Sequence, residues 1–185
     1  MEALILAGGS GKRAGGNKLL FEITGKPLIL HTIHNVKPFV KRIVVVTGRY
    51  HDDLFAALKH EPLVDVVFNK DHYKGMFSSV QCGMRLIKDD VLIMPGDMPF
   101  IKQSTFKQLS KNSGQLRVPI YNNQKGHPLF IHHSLIKPLL EEPKDSHLKR
   151  FRDRYTIYTV PVEDPGILID IDTLEDFKTH VNERG

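Results

Sequence analysis

"LILAGGSGKRAGGNKLL", from Leu4 to Leu20, joins an apolar segment to a loop rich in glycine and basic residues. The apolar residues predict a short buried strand, and the glycines predict a loop directly after it. Backbone N–H groups of such a loop can surround an anion, and Arg13 and Lys18 add positive charge. A long basic surface loop after an edge strand is the alternative interpretation of the same residues.

Two common phosphate-binding motifs do not fit this stretch. The P-loop pattern G-x-x-x-x-G-K-[ST] needs glycine where this chain has Leu6 and a hydroxyl residue where it has Arg13. The dinucleotide fingerprint is matched by residues 9–14, but Gly15 and Gly16 follow at once and the next apolar segment ends in Thr47-Gly48 rather than in an acid. The loop therefore favours a triphosphate over a dinucleotide.

Short runs rich in Val and Ile alternate with segments of helical spacing along the whole chain, which predicts an α/β fold with a mostly parallel sheet. The fully apolar strands are expected at its centre. The predicted strands are Ala3–Leu6, Arg42–Gly48, Val64–Asn69, Asp90–Gly96, Leu116–Tyr121, His127–Ile131, Thr156–Val162 and Ile167–Ile171. Helices are predicted at Pro27–Val36, Asp52–Lys59, Ser78–Ile87, Ser134–Leu140 and Ser146–Arg152, from Ser104, and after Thr173, where "TLED" resembles a capping box.

Composition limits the class of protein. The 185 residues predict one domain, 1–185, and the absence of a long apolar run or a leader predicts a cytoplasmic protein without a membrane partner. A single cysteine, Cys82, excludes a disulfide framework and agrees with a reducing compartment. The net charge of +5 favours anionic small molecules, and no motif for nucleic acid accompanies it.

Acidic residues follow two of the apolar segments. "IMPGDMPFI" places Asp97 at the carboxyl end of a predicted central strand, where open α/β sheets bind ligands. In "ILIDIDTLEDF", Asp170 and Asp172 are two apart on an extended segment and so point to one face. Carboxylates that converge from separate segments predict a Mg²⁺ site. The alternatives are that Asp97 is a turn or capping residue and that Asp172 and Thr173 only cap the last helix.

The loop and the acids together indicate one class of reaction. A nucleoside triphosphate on the loop, with Mg²⁺ on the aspartates, would be attacked at its α-phosphorus by an incoming phosphate and lose pyrophosphate. This chemistry needs positioning and charge neutralisation rather than a protein nucleophile. The pairs His31/His34 and His132/His133 have no supporting ligands nearby in sequence, and we interpret them as structural.

The chain resembles the molybdenum cofactor cytidylyl- and guanylyltransferases, the MobA-like NTP transferases, in a series of blocks that run in order along the sequence. The first block is "LAGGSGKRAGGNKLL", which resembles the signature loop of that family. The others are "ITGKPLILHTI", "IVVVTG", "KGMFSSVQCGM", "PGDMPFI", "KGHPLFI" and "IDIDTLEDF". The resemblance implies a Rossmann-like, three-layer α/β/α nucleotidyltransferase fold with a mostly parallel, mixed sheet.

The resemblance also implies roles for individual residues. Arg13, Lys18 and Asp97 would be catalytic, with Lys18 reaching the α-phosphate or the incoming phosphate. Asp97 would be the principal Mg²⁺ ligand, joined by Asp170 or Asp172. Gly126, His127 and Pro128 would face the acceptor, with a merely packed His127 as the alternative. The nucleotide-binding residues would be Leu6, Ala7, Gly8, Gly9, Ser10, Arg13, Lys18, Thr47, Asn69, Gly75, Ser78 and Ser79.

The chain departs from the family pattern at several positions. Ala14 replaces the usual Met, Leu174 replaces Pro, and Lys125 replaces the Arg that precedes Gly-His-Pro in the family. "PKDSHLKRF" lacks the glycines of the corresponding family turn. The last two differences concern the acceptor pocket. "GMFSSVQCGM" and "KGHP" resemble cytidylyl-transferring members, whereas "LAGG" and "DMPF" resemble guanylyl-transferring ones; CTP is favoured, and Gly8 is the position where one exchange would alter room for the base.

The leading hypothesis is therefore a Mg²⁺-dependent transfer of a nucleotidyl group from CTP or GTP to a molybdopterin-type acceptor. A molybdoenzyme or its chaperone is a possible protein partner. One alternative is a nucleotidyltransferase for another phosphorylated molecule, such as a sugar or alditol phosphate. Another is a non-catalytic module that carries a nucleotide-bearing cofactor.

Overall fold

The computed structural model describes residues 1–9, 16–173, 175–176 and 178–179 and arranges them around a mixed β-sheet. The strands are Glu2–Ala7 (β1), Glu22–Ile23 (β2), Lys26–Pro27 (β3), Ile43–Thr47 (β4), Val64–Phe68 (β5), Val91–Pro95 (β6), Leu116–Tyr121 (β7), Gln124–Lys125 (β8), Leu129–Ile131 (β9) and Ile157–Pro161 (β10). The α-helices are Leu28–Val36 (α1), His51–Leu58 (α2), Met76–Met84 (α3), Gln103–Lys111 (α4), Ile136–Leu140 (α5) and Leu148–Arg152 (α6). Single 3₁₀ turns lie at Lys18–Leu20, Lys37–Phe39, His72–Lys74, His133–Leu135 and Pro165–Leu168.

The strand order in the main sheet is β10-β7-β9-β6-β1-β4-β5, with β8 paired to β7. Strand β1 runs parallel to both β4 and β6, while β9 runs antiparallel to β6 and β7. The carboxyl ends of β1, β4 and β6 therefore share one edge of the sheet with the residues that precede β9. This common edge brings residues from distant parts of the sequence together.

Side chains along β1 alternate between the two faces of the sheet, as the period of a strand requires. Ala3 and Ile5 pack in one core with α1, α2 and α4, whereas Leu4 packs in the other with α3, α5 and α6. The apolar strands β1, β4 and β6 lie at the centre, buried on both faces. These observations confirm the predicted three-layer α/β/α fold with a mostly parallel, mixed sheet.

The predicted strand Ile167–Ile171 is wrong. The buried carboxylate of Asp164 accepts a hydrogen bond from the Gly166 backbone N–H (2.9 Å) and starts the 3₁₀ turn Pro165–Leu168. Ile169 is extended, but it has no neighbouring strand among the described residues. The apolar residues of this segment are buried by packing against the core rather than by sheet pairing.

The predicted capping box after Asp172 is confirmed. Thr173 Oγ1 accepts a hydrogen bond from the Asp176 N–H (3.1 Å), and the Asp176 carboxylate accepts one from the Thr173 N–H (2.8 Å). Residues 175–176 and 178–179 are helical, as expected. No helix in the described residues is long and apolar enough to cross a membrane.

Candidate active site

A cleft of about 930 Å³ opens at the shared edge of the sheet. Its volume lies at the upper end of the range for small-molecule sites. Sequence-predicted residues that line it are Leu6, Gly8, Gly9, Lys18, Gly75, Ser79, Asp97, Gly126, His127, Asp170 and Asp172. Residues predicted from five separate blocks of sequence thus meet in one place.

The charged centre of the cleft is a lysine between two carboxylates. Lys18 Nζ lies 2.7 Å from Asp97 Oδ2 and 2.5 Å from Asp172 Oδ1. Asp97 follows β6, Lys18 begins the 3₁₀ turn after the glycine loop, and Asp172 precedes the last helix. Thr173 caps that helix, so the Asp172 side chain is directed to Lys18 rather than serving as the cap.

The Lys18 ammonium stays charged in this setting. Partial burial lowers its pKa, but hydrogen bonds and charge from Asp172 and Asp97 outweigh that effect and raise the pKa above its ordinary value. Two of the three N–H donors of the ammonium go to these carboxylates. The ammonium has a third donor besides the two that these contacts use.

One carboxylate oxygen of Asp97 has no hydrogen-bond partner in the described part of the chain. This oxygen, Oδ1, is buried. Buried carboxylate oxygens normally have a partner, so this atom points to a ligand of the site. The surrounding backbone is well anchored: Gly96 donates to Leu6, and the Asp97 carbonyl accepts from the Ile171 N–H (2.9 Å).

The hydrogen bond from the Ile171 N–H to the Asp97 carbonyl also holds the segment that carries Asp170 and Asp172. Ile169 and Ile171 pack toward the core, so Asp170 and Asp172 alternate with them and line the cleft. The predicted common face of Asp170 and Asp172 is therefore present, although the segment is not a sheet strand.

The start of α3 forms another wall of the cleft. Gly75 has φ +101°, a conformation that favours glycine, and it opens the helix without a side-chain cap. Gly75, Met76 and Ser79 line the cleft, so free N–H groups at this helix start are available to an anion. Ser78 does not line the cleft; its hydroxyl donates to backbone carbonyls, including that of Gly75.

Asn69 and Thr47 lie behind that wall rather than in it. The Asn69 amide donates to Ser78 Oγ (2.9 Å) and Ser79 Oγ (3.0 Å), and the residue is buried. Thr47 is fully buried, and its hydroxyl lies 2.7 Å from His51 Nδ1. Ala7 and Pro128 are also buried and do not line the cleft. The structure therefore gives Asn69 and Thr47 supporting contacts beneath the cleft surface.

Gly126 and His127, which the sequence predicts to face the acceptor, line the opposite wall of the cleft. Gly126 approaches Ile167 so closely that a Cβ would overlap the Ile167 carbonyl oxygen, and the His127 N–H donates to that oxygen (2.9 Å). The His127 side chain is exposed within the cleft, where the surrounding protein displaces water and lowers the pKa of the imidazole. Asp97 and Asp170 oppose this shift, and Arg152 adds to it. His127 is therefore an exposed residue of the cleft and not a packed core histidine.

A smaller cavity of about 350 Å³ continues the cleft on this side. Lys125, Gly126 and His127 line both cavities, and Lys149 and Arg152 of α6 line the smaller one. Arg152 Nε is buried without a hydrogen-bond partner among the described residues. This side of the cleft is basic.

Sequence reasoning missed several residues of the cleft. Arg49 follows β4 at the same sheet edge as Gly8, and its guanidinium lies over the Tyr50 ring, 5.8 Å from the ring centroid. His72, Tyr73 and Met76 flank the start of α3. Arg49 could have been predicted from the sequence, because it follows an apolar strand as Asp97 does. Arg152 could not, because its place at the cleft depends on how α6 packs. Two predicted residues, Ser10 and Arg13, lie outside the described residues.

The fold, the cleft and its lysine–carboxylate centre define an α/β enzyme that handles anionic ligands at the carboxyl edge of its sheet. Residues 3–158 match the family model described as the MobA-like NTP transferase domain, and the chain belongs to this family. It is accordingly a nucleotidyltransferase, as the resemblance in the sequence predicted.

Named relatives span most of the chain. The chain is 24% identical over 182 residues to the molybdenum cofactor cytidylyltransferase of Escherichia coli K12, covering 97% of this chain and 94% of that protein. It is 33% identical over 138 residues to a probable molybdenum cofactor guanylyltransferase of Pyrococcus horikoshii, covering 71% and 68%. A manganese complex of a Mycobacterium tuberculosis H37Rv protein has a similar fold, with a TM-score of 0.76, 17% identity and coverage of 98% and 97%.

Proposed function

We propose that this nucleotidyltransferase transfers the CMP group of CTP to the phosphate of a molybdopterin-type acceptor and releases pyrophosphate. GTP is the alternative donor. The observation that carries the proposal is the Asp97 carboxylate, which lines the cleft and binds Lys18 through one oxygen, while the other oxygen is buried and has no partner among the described residues. This arrangement suits a site that must hold both phosphate and a cation.

The donor set fits a divalent cation. The free Asp97 Oδ1 and the carboxylates of Asp170 and Asp172 in the same cleft are hard oxygen donors, which Mg²⁺ prefers. We propose that Asp97 holds Mg²⁺ together with Asp170 or Asp172. When bound, the ion would neutralise charge on the phosphates.

In this proposal, backbone and side-chain groups of the protein position the phosphates. Backbone N–H groups of Gly8, Gly9 and the α3 start would bind the triphosphate, and Lys18 would donate to the α-phosphate or the incoming phosphate. Arg13 remains a predicted contributor of charge. An acceptor phosphate oxygen would form a bond to the α-phosphorus as the bond from that phosphorus to the bridging oxygen breaks, and pyrophosphate would carry away the electron pair.

The basic side of the cleft is proposed as the acceptor site. Lys125 and Arg152 offer positive charge beside the exposed imidazole of His127. Arg152 Nε has an unused donor there, which a phosphate of the acceptor can satisfy. Lys125 and Arg152 would thus replace charge that the family pattern supplies through Arg before Gly-His-Pro.

The preference for CTP rests on the acceptor-side blocks and on the cytidylyltransferase relative that matches nearly the whole chain. At Gly8, a Cβ would lie 3.0 Å from Ser79 Oγ, so the absence of a side chain sets the space at this wall. We further propose that the enzyme acts in the cytoplasm, where nucleoside triphosphates are plentiful, and passes its product to a molybdoenzyme or its chaperone.

A panel of triphosphates and acceptors tests the proposal. CTP, GTP, ATP and UTP are each combined with molybdopterin, a sugar phosphate or an alditol phosphate, with Mg²⁺ present, and pyrophosphate release is measured. We expect release with molybdopterin and the highest kcat/KM with CTP. Release with a sugar or alditol phosphate and none with molybdopterin would overturn the proposed acceptor, and a higher kcat/KM for GTP would overturn the proposed base.

A further inference from the structure

A cluster of two histidines and an aspartate lies at the sheet edge opposite the cleft. Asp90 precedes β6 and His132 and His133 follow β9, and the antiparallel pairing of Val91 with Ile131 brings these ends together. Candidate ligand atoms of the three side chains all lie within 4.8 Å of one another. No further metal-ligating residue lies near His132 and His133 in the sequence, but the fold brings Asp90 beside them.

We propose that Asp90, His132 and His133 form a binding site for a divalent transition-metal cation of the zinc class. Two imidazoles with one carboxylate is a ligand set that suits Zn²⁺ and disfavours Mg²⁺, which takes oxygen ligands. The site is independent of the cleft chemistry, because it uses none of the cleft residues and lies at the other end of β6.

The distances agree with tetrahedral coordination. His133 Nδ1 lies 2.9 Å and His132 Nε2 lies 3.8 Å from Asp90 Oδ1. Bonds of about 2.0–2.2 Å in a tetrahedron separate ligand atoms by about 3.3 Å, a value between these two distances. Small rotations of exposed side chains therefore suffice to bring the three atoms around one cation.

Neighbouring groups orient the ligands. His132 Nδ1 accepts a hydrogen bond from the Ser134 N–H (3.3 Å) and lies 2.8 Å from Ser134 Oγ, so these contacts fix the orientation of the imidazole ring. His132 Nε2, the nitrogen that faces Asp90, would release its proton on binding the cation. The His133 backbone N–H donates to Asp90 Oδ1 (2.8 Å) and fixes the carboxylate.

The exposure of the cluster leaves one coordination position of a bound cation open to solvent. The side chain of His133 is 57% exposed and that of Asp90 is 29% exposed, so a cation and a water ligand can reach the cluster. The guanidinium of Arg117, stacked over Phe130, interacts electrostatically with Asp90. Its positive charge would weaken, but not replace, the attraction of the carboxylate for a cation.

The test uses Zn²⁺ itself, titrated into the full chain by calorimetry, with excess Mg²⁺ present to occupy the cleft carboxylates. The variants are His133→Ala, Asp90→Asn and Asp97→Asn, and His60→Ala serves as the control because His60 is exposed and outside the cluster. Co²⁺ is titrated in parallel, since its visible absorption reports tetrahedral coordination by nitrogen and oxygen.

We expect one Zn²⁺ per chain, with affinity reduced at least tenfold in His133→Ala and Asp90→Asn and unchanged in Asp97→Asn and His60→Ala. We also expect Zn²⁺ to raise the Tm of the wild type and not that of His133→Ala. The proposal is overturned if Zn²⁺ does not bind, if His133→Ala binds it as tightly as the wild type, or if binding disappears only in Asp97→Asn.

Discussion

At the scale of single residues, the two carboxylate oxygens of Asp97 have different surroundings. Oδ2 binds Lys18, whose charge both aspartates maintain, and Oδ1 is buried without a partner among the described residues. A protein that needed Asp97 only for folding would satisfy both oxygens. The unpaired oxygen is therefore the feature that ties this residue to a ligand.

Replacing Asp97 with Asn should lower kcat for pyrophosphate release by about 100-fold or more, because an amide oxygen carries no charge to hold a cation among phosphates. Folding should persist, since Asn keeps the shape of Asp, an amide oxygen can still accept from Lys18, and Oδ1 has no partner within the described residues. Steady-state kinetics and circular dichroism check this result. Asp65→Asn, which removes an exposed partner of Arg42, is the matched control. A folded Asp97→Asn variant with near-normal kcat would show that Asp97 is not catalytic.

Replacing Lys18 with Met should lower the free energy of unfolding by about 1–3 kcal/mol at neutral pH, because two partly buried carboxylates lose their shared cation. The pKa of Lys18 is raised by folding, so its stabilising contribution is complete below the ordinary lysine value. That contribution is lost only as the pH rises through the higher folded-state pKa. Urea unfolding at several pH values measures the difference between wild type and variant.

This difference should stay constant from about pH 6 to 9 and shrink only above about pH 10.5. Lys41→Met, which removes an exposed partner of Asp89, should lower the free energy of unfolding much less than Lys18→Met does, because solvent screens that ion pair. A Lys18 contribution that declines between pH 6 and 9 would contradict the assigned direction of the pKa shift.

At the scale of elements, the segment from Asp164 to Thr173 organises one side of the cleft. Asp164 is fully buried and accepts hydrogen bonds from the Lys102 N–H (2.7 Å), Thr105 Oγ1 (2.7 Å) and the Gly166 N–H. These bonds join the start of α4 to the 3₁₀ turn. The segment then continues to Ile171, whose N–H donates to Asp97.

Replacing Gly126 with Ala should disturb this segment, because the new Cβ would overlap the Ile167 carbonyl oxygen. We expect a stability loss of about 1–3 kcal/mol and a fall in kcat/KM of about tenfold or more, as the acids that follow Ile167 shift. Thermal unfolding and pyrophosphate release measure the two effects. Gln124→Ala, at an exposed position of β8 on the same side of β9, is the control. Equal behaviour of the two variants would contradict a positioning role for this contact.

The same segment shows why sequence patterns predicted some elements and not others. The capping box at Thr173 is local, so its residue spacing was sufficient. The strand predicted at Ile167–Ile171 failed because an apolar run shows burial but not the partner that buries it. Asp164 and Arg152 escaped notice because their contacts come from α4 and from the cavity beside α6, which no local pattern encodes.

At the scale of the whole molecule, parallel strand order explains the convergence of the site. Leu6, Thr47 and Pro95 stand at the ends of three adjacent parallel strands, and the antiparallel β9 brings His127 to the same edge. The alternating apolar segments were enough to predict the fold class and the placement of Asp97. The partners of Lys18 and the Asp90–histidine cluster required the three-dimensional fold, because they lie far apart in sequence.

The net charge of +5 acts at this scale as well. It favours anionic substrates over the whole surface, while Lys18, Arg49, Lys125 and Arg152 place positive charge in or beside the cleft. This distribution of charge agrees with the proposed binding of a triphosphate and a phosphorylated acceptor.

The central claim is that the protein transfers a nucleotidyl group from the triphosphate to the acceptor. The most direct test uses two samples of CTP, one with radioactive phosphorus at the α position and one with it at the γ position, and follows where each label goes. The reaction is run with molybdopterin and Mg²⁺, and the acceptor product is separated from pyrophosphate. We predict that α-label appears in the acceptor product and that γ-label appears only in pyrophosphate. Transfer of γ-label to the acceptor, or no transfer of α-label by the folded protein, would contradict the account.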